Sequence, residues 1–215
     1  MESPGSSRSS NPEADSTRRY EMRVRQAAVD RTRERILDAM AELWLTRHYD
    51  ELTLADVADR AGVSRQTVYR QFGTKDDLLM ATAEWKGPQG EAQTLAPPGE
   101  VDTAISRLMD LYETIGDANV RALAIEGRVD ALDHMLKRGR SGHRAWVEHV
   151  FDPWLPAPGT PDREAVVMTF YAATDVMQWK LLRRDFGFTA AATQQIIRRL
   201  VDGVIGTTAR EEQKP

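Results

Sequence analysis

An all-α fold is what this sequence predicts, and three observations carry the prediction. Apolar residues recur at helical spacing through most of the 215 residues. No segment alternates apolar and polar residues as a half-buried strand would, and β-branched clusters are short. The third is the stretch TLADVADRAGVSRQTVYRQFGTK, residues 53–75, punctuated as a helix, a tight turn and a second short helix.

Taken in order, residues 1–17 are rich in Ser, Pro, Gly and Asn and read as a disordered tail. The first firm helix runs from about Thr32, or somewhat earlier, to Thr46, with Ile36, Ala39, Met40, Leu43 and Trp44 as its apolar stripe; His48, Tyr49 and Asp50 form its exit. Thr53 then caps a second helix, with Asp56 three residues on as its capping-box acid and Leu54, Val57, Ala58 and Ala61 as its stripe. Gly62 supplies the backbone freedom a sharp turn needs, Val63 plugs the turn, and Ser64 caps the third helix. Thr74 and Asp77 repeat the capping box for a fourth helix carrying Leu78, Leu79 and Trp85, which Gly87-Pro88 is expected to stop.

Residues 87–99 read as a linker. Beyond it, Val101, Ile105, Leu108, Met109, Tyr112 and Ile115 trace a helix expected to end near Gly116-Asp117. Helical patterns follow over 120–135 and 144–151, then a loop marked by Pro153, Pro156, Pro158 and Pro161. A long helix over 162–184 is apolar nearly all round, which calls for two packing partners. A last helix opens at Thr189 with Ile196, Ile197, Leu200, Val201, Val204 and Ile205, and residues 207–215 should fray.

Composition narrows the function. Hydrophobic residues make up 41%, enough for a core, and the absence of cysteine excludes disulfides and thiol catalysis. No run approaches the roughly 18 apolar residues of a membrane span, and the first residues lack a signal peptide's apolar centre. A cytoplasmic protein without membrane contact is expected. No GxxxxGK, GxGxxG or HExxH occurs, so an enzyme is not expected, nor a cofactor. His143 and His149, six apart, have poor helical spacing for a metal, and with Glu126, Arg128 and His134 they read as surface residues.

The net charge of −4 hides an uneven distribution. Residues 18–35 hold seven Arg against Glu21, Asp30 and Glu34, whereas residues 87–215 hold 15 basic and 18 acidic side chains. A solvated basic face is the plain reading; beside a groove-reading helix, a phosphate-contacting arm is the better one. In the third helix, Val68 and Phe72 share an inward face, leaving Arg65, Gln66, Thr67, Tyr69, Arg70 and Gln71 outside. Arg forks onto guanine, Gln pairs with adenine, a Thr methyl meets thymine, and hydroxyls bond phosphates.

The segment RERILDAMAELWLTRHYDELTLADVADRAGVSRQTVYRQFGTKDDLL, residues 33–79, resembles the N-terminal signature of the TetR family of bacterial repressors. The likeness rests on the aromatic after the first helix, the Thr opening the second, Ala-Gly-Val-Ser at the turn, Tyr and Phe three apart, and Lys followed by acids and Leu. It implies an all-α protein of about nine helices, with a three-helix DNA-binding domain (residues 18–86, the fourth helix as a bridge) and a helical ligand-binding and dimerisation domain (residues 100–206). By the same resemblance, Ser64, Arg65, Gln66, Thr67 and Tyr69 fall where the recognition helix meets DNA, Thr53 near a phosphate, and Lys75 at a phosphate-contacting position. Gln71 stands where a His is frequent, and Arg70 joins the set. The expected partners are a double-stranded DNA operator, a second copy of the chain and a small-molecule effector. The expected dimer interface is the long helix and the last one. Trp85, Met109, Tyr112, Trp146, Tyr171, Asp175 and Trp179 are the candidate lining of an effector pocket.

Overall fold

The computed structural model describes residues 12–211, and the described residues contain no strand. The elements are α1 (Pro12–Thr46), α2 (Leu54–Ala61), α3 (Arg65–Phe72), α4 (Lys75–Thr94), α5 (Val101–Leu123), α6 (Asp130–Val150), α7 (Arg163–Thr174), α8 (Val176–Lys180) running into a π-turn (Leu181–Asp185), and α9 (Ala190–Glu211). Short 3₁₀ turns at Tyr49–Glu51 and Asp152–Trp154 finish the connections.

Two apolar clusters organise them. The N-terminal one joins Ile36, Leu37 and Met40 of α1 to Tyr49, Leu52, Val57, Val68, Phe72, Leu78 and Leu79. It is closed from the other side by Ala122 of α5 and Ala131, Leu132 and Leu136 of α6, so the two halves of the chain share one wall. The second lies among α5, α6, α7, α8 and α9, where Phe151 and Phe170 stack face to face at 4.2 Å. A polar tie joins the halves, with Arg121 of α5 donating to the C-terminal carbonyls of α1 at Trp44 (3.0 Å) and Leu45 (2.9 Å); within the N-terminal half Lys86 pairs with Asp38 at 2.9 Å.

Several helix boundaries depart from the sequence reading. α1 begins at Pro12, so residues 12–17, expected as tail, are helical, and the helix starts 20 residues before Thr32; residues 1–11 and 212–215 lie outside the described residues. α4 runs through Gly87-Pro88 to Thr94, replacing most of the expected linker. Its last carbonyls are held from outside the helix, where the Trp146 indole donates to the Thr94 carbonyl at 3.0 Å and His149 Nε2 lies 2.9 Å from the Ala96 carbonyl. α5 passes Gly116 and ends at Leu123, because the missing Cβ makes room for Trp179: a Cβ there would lie 2.5 Å from the indole. The pattern over 120–135 is interrupted between Leu123 and Asp130, and the pattern over 144–151 is the end of α6.

The expected long helix over 162–184 breaks at Asp175, whose backbone is extended (ψ 150) and whose carboxylate accepts from the Met177 N–H at 2.8 Å. The carbonyl freed at Thr174 accepts from the Tyr112 hydroxyl at 3.1 Å. α9 continues to Glu211 with Thr208 buried, so fraying does not begin at 207 within the described residues.

His143, expected on the surface, is largely buried beside this break. It stacks on Trp146 (5.4 Å between ring centres), meets Tyr171 edge-on (4.6 Å) and lies 3.1 Å from the Thr174 hydroxyl. Burial pushes its pKa down from 6.5 to about 4, against an opposing pull from the Asp175 carboxylate and a bond to the Tyr171 backbone. Between those values the unfolded chain binds the proton and the folded chain does not, so stability rises with pH across that window and is level above it. We expect the protein to lose roughly 2 kcal/mol between pH 7 and pH 5 through this group. Thermal melts of His143→Gln should then be less steep in pH than those of the parent.

Candidate nucleic-acid interface

The geometry of α2 and α3 is fixed by caps. Thr53 and Asp56 form a complete capping box, with the Asp56 N–H donating to Thr53 Oγ1 at 3.2 Å and the Thr53 N–H to Asp56 at 2.9 Å. α2 ends on Gly62 at φ 65, a left-handed position, with the Val63 N–H reaching back to the Ala58 carbonyl at 3.0 Å. Ser64 then caps α3 by accepting from the Thr67 N–H at 3.1 Å. Val68 and Phe72 bury the inner face of α3 as the spacing predicts. The second capping box, Thr74 with Asp77, opens α4 immediately afterwards.

α3 turns outward Arg65, Gln66, Tyr69 (64% exposed) and Arg70, with Ser64 exposed just ahead of them. Ser64 and Thr67 share a hydroxyl–hydroxyl bond of 2.8 Å, so Thr67 presents mainly its methyl. Neither Arg65 nor Arg70 has an ion pair among the described residues, and no acid lies between Ala61 and Thr74. Nearby acids are engaged locally and stay ionised: the Asp56 carboxyl is held below its usual range by hydrogen bonds from Thr53 and Arg47, and Asp77 by those from Thr74.

Two expected contacts are placed differently. Gln71 turns its carbonyl oxygen into the protein, where it is buried without a partner. Its position at i+3 from Val68 carries it toward the core side of the helix. Lys75 is folded back onto Tyr49, donating to its carbonyl at 2.8 Å with the ammonium 4.0 Å from the ring centre. The Tyr49 hydroxyl donates in turn to Asp76, and burial followed by that carboxylate raises its pKa, so it stays a neutral phenol. Tyr49 therefore braces the start of α4 under the interface. Sequence reasoning assigned it only to a helix exit, because a single loop aromatic has no periodicity to reveal a partner. The Thr53 hydroxyl is committed to the capping box.

The same geometry has counterparts among known proteins. Residues 36–82 match the description "Bacterial regulatory proteins, tetR family". Over that segment the chain carries the tetR-family signature. The chain is 41% identical over 88 residues to the HTH-type transcriptional regulator AlkX of Mycobacterium tuberculosis, covering 41% of this chain and 33% of that one. It is 26% identical over 174 residues to the HTH-type transcriptional activator FasR of Mycolicibacterium smegmatis (80% and 68% covered). To the HTH-type transcriptional repressor LfrR of the same organism it is 38% identical over 96 residues (43% and 50% covered). The matches to AlkX and LfrR thus span half or less of those relatives. In fold it is similar to a tetR-family transcriptional regulator from Streptomyces coelicolor, with a TM-score of 0.69 at 16% identity, covering 85% of this chain and 83% of that one. These relatives are regulators of transcription with a helix-turn-helix, and none is described as an enzyme. No helix among the described residues is long and apolar enough to cross a membrane.

The seven candidate pocket residues divide. Met109, Tyr112, Trp146 and Trp179 are buried in the C-terminal cluster, Tyr171 packs against it, and Asp175 caps α8 beside it. Trp85 belongs instead to the N-terminal cluster, with Lys86 over its ring. The indoles are anchored, Trp146 by Thr94 and Trp179 by Glu113 at 2.8 Å. The concave surface at the start of α5, about 360 Å³ between Glu100, Asp102, Trp154, Arg198 and Asp202, involves none of the seven. His134 and Glu126 are surface groups, His134 against the Asp130 carbonyl and Glu126 paired with Arg140.

Proposed function

We propose that this chain is a homodimeric transcriptional repressor that leaves a palindromic operator when a small molecule binds its C-terminal half. The observation that carries the DNA part is the exposed, acid-free face of α3, held in place by capped ends and a buried Val68–Phe72 face. In this reading Arg65, Gln66 and Arg70 read base edges, Thr67 offers a methyl, and Ser64, Tyr69, Thr53 and Lys75 hold phosphates. Lys75 keeps ammonium hydrogens beyond the one given to Tyr49, and Gln71 supports α3 from behind.

Dimerisation is supported by the exposed large apolar side chains of Met168, Met177, Leu181, Phe186 (68% exposed), Phe188 and Leu200, carried by α7, α8, the π-turn, its connection to α9, and α9. To read a palindrome, such a dimer must hold its two α3 helices in successive major grooves, about 34–36 Å apart. Leu181→Glu combined with Phe186→Glu should convert a dimer into a monomer at micromolar concentration in light scattering. A parent that is already monomeric overturns this assignment.

An effector acts only through its different affinity for the DNA-fitting and DNA-excluding forms. Its site in this reading is the region of Tyr112, His143, Trp146, Tyr171 and Asp175 at the α7–α8 break, where polar groups meet an aromatic wall. The likeness to FasR over 80% of the chain favours a second reading, an activator with the same DNA-binding end. A promoter bearing the selected operator, transcribed with and without the protein, decides between them.

A further inference from the structure

α1 is far longer than its domain needs. Its first core residue is Ile36, so some 24 residues precede it, on the order of 36 Å of helix at 1.5 Å per residue. From Met22 to Arg35 every side chain is exposed except Ala27 and Thr32, which are half-buried. This stretch holds five arginines (23, 25, 31, 33 and 35) against Asp30 and Glu34.

Most of these arginines are left without a carboxylate partner. Elsewhere Arg47, Arg60, Arg140, Arg144, Arg183, Arg184 and Arg198 each meet a carboxylate. Arg23, Arg25, Arg31 and Arg35 meet none among the described residues, as is also true of Arg65 and Arg70 of α3 and of a scatter of other arginines such as Arg128 and Arg199. Asp30 is occupied by Gln26 at 2.8 Å. The overhang is also joined to α3, since the Arg33 guanidinium lies 4.5 Å from the centre of the Phe72 ring, the last residue of that helix. At 100° per residue, Arg23, Arg31 and Arg35 fall within about 120° of one another over roughly 18 Å, a net cationic arc that also holds Glu34 and has Asp30 at its edge.

We propose that the α1 overhang is a second DNA-binding element, gripping backbone phosphates outside the half-site read by α3. The inference rests on the reading of α3 as the base-reading helix. Unneutralised guanidinium groups are suited to phosphate oxygens, and a rigid helix tied to α3 through Arg33 and Phe72 sets them at a fixed distance from the recognition helix. An anionic lipid surface fits less well, because the exposed apolar residues Met22 and Val29 lie nearly opposite Val24 and form no apolar face to enter a bilayer.

The test uses the full chain and two duplexes carrying its selected site, one trimmed to the site and one with about 15 extra base pairs on each side. The parent should bind the longer duplex at least about tenfold more tightly. The triple variant Arg23→Ala, Arg31→Ala, Arg35→Ala should lose that advantage and lower the slope of log K against log salt by about 2–3 per protomer, at ~0.9 per phosphate released. The sequence it selects should be unchanged, and the corresponding triple Lys variant should keep the parent's behaviour. Equal affinity of the parent for both duplexes overturns the proposal, as does an Ala variant with an unaltered slope. So does arginine-dependent binding to phosphatidylserine vesicles with DNA binding unaffected. A parent that selects no sequence at all contradicts the reading of α3 itself, which is a separate result.

Discussion

Gly116→Ala should destabilise the protein by about 2–4 kcal/mol, although alanine is the better helix former by about 1 kcal/mol. The added methyl would lie 2.5, 2.7 and 2.8 Å from three carbons of the Trp179 ring, well inside contact distance. The clash has no cheap relief, because Trp179 is fully buried and its indole nitrogen donates to Glu113 at 2.8 Å. Glu113 is itself held by Arg183 at 2.6 and 2.9 Å, and Arg184 covers the other side of the indole while paired to Asp117. Those hydrogen bonds keep the Glu113 and Asp117 carboxyls below their usual range, so the clamp is ionised at neutral pH. A thermal melt should show a fall of roughly 5–12 °C for a chain of this size. Pairing Gly116→Ala with Trp179→Phe should recover part of the loss, since the smaller ring leaves room for the methyl. An additive double variant would mean that Trp179 is not the obstacle.

Arg65→Ala and Gln66→Ala should each relax the base preference at particular operator positions by about 1–3 kcal/mol per half-site contact. In a dimer on a palindrome each substitution acts twice, so affinity for the parent's best site should fall by roughly 10²- to 10⁴-fold. Affinity for random duplex should change little beyond the loss of one charge. Both residues stand on the exposed face of α3 without an ion pair among the described residues, so folding should be unaffected and circular dichroism should match the parent. Equal loss on operator and random DNA would make them phosphate contacts instead.

The DNA-binding end was legible because its signals are local. Thr53 with Asp56, Gly62, Ser64, and Thr74 with Asp77 all act within three or four residues, and each cap is found where its sequence places it. The inward face of α3 followed from the four-residue spacing of Val68 and Phe72. The failures lie where distant side chains override a local rule. Gly87-Pro88 is a sound stop signal, yet α6 holds the far end of α4 through Trp146 and His149. Gly116 looks like a helix end, yet Trp179, 63 residues later, needs it inside the helix. Asp175 was hidden inside an apolar run, and only the Met177 N–H reveals it as a cap. Lys75 and Gln71 show the same limit within the interface, since a side chain's residue type does not tell whether it points to solvent or to Tyr49.

The central claim is that the exposed face of α3 reads DNA sequence in a twofold-symmetric complex. Selection from a randomised duplex pool with the purified full chain tests it most directly. One near-palindromic site should be enriched, its half-site centres about 10 base pairs, or a multiple of that, apart. Enrichment of no motif, or an enriched duplex that binds no more tightly than the starting pool, contradicts sequence reading by α3.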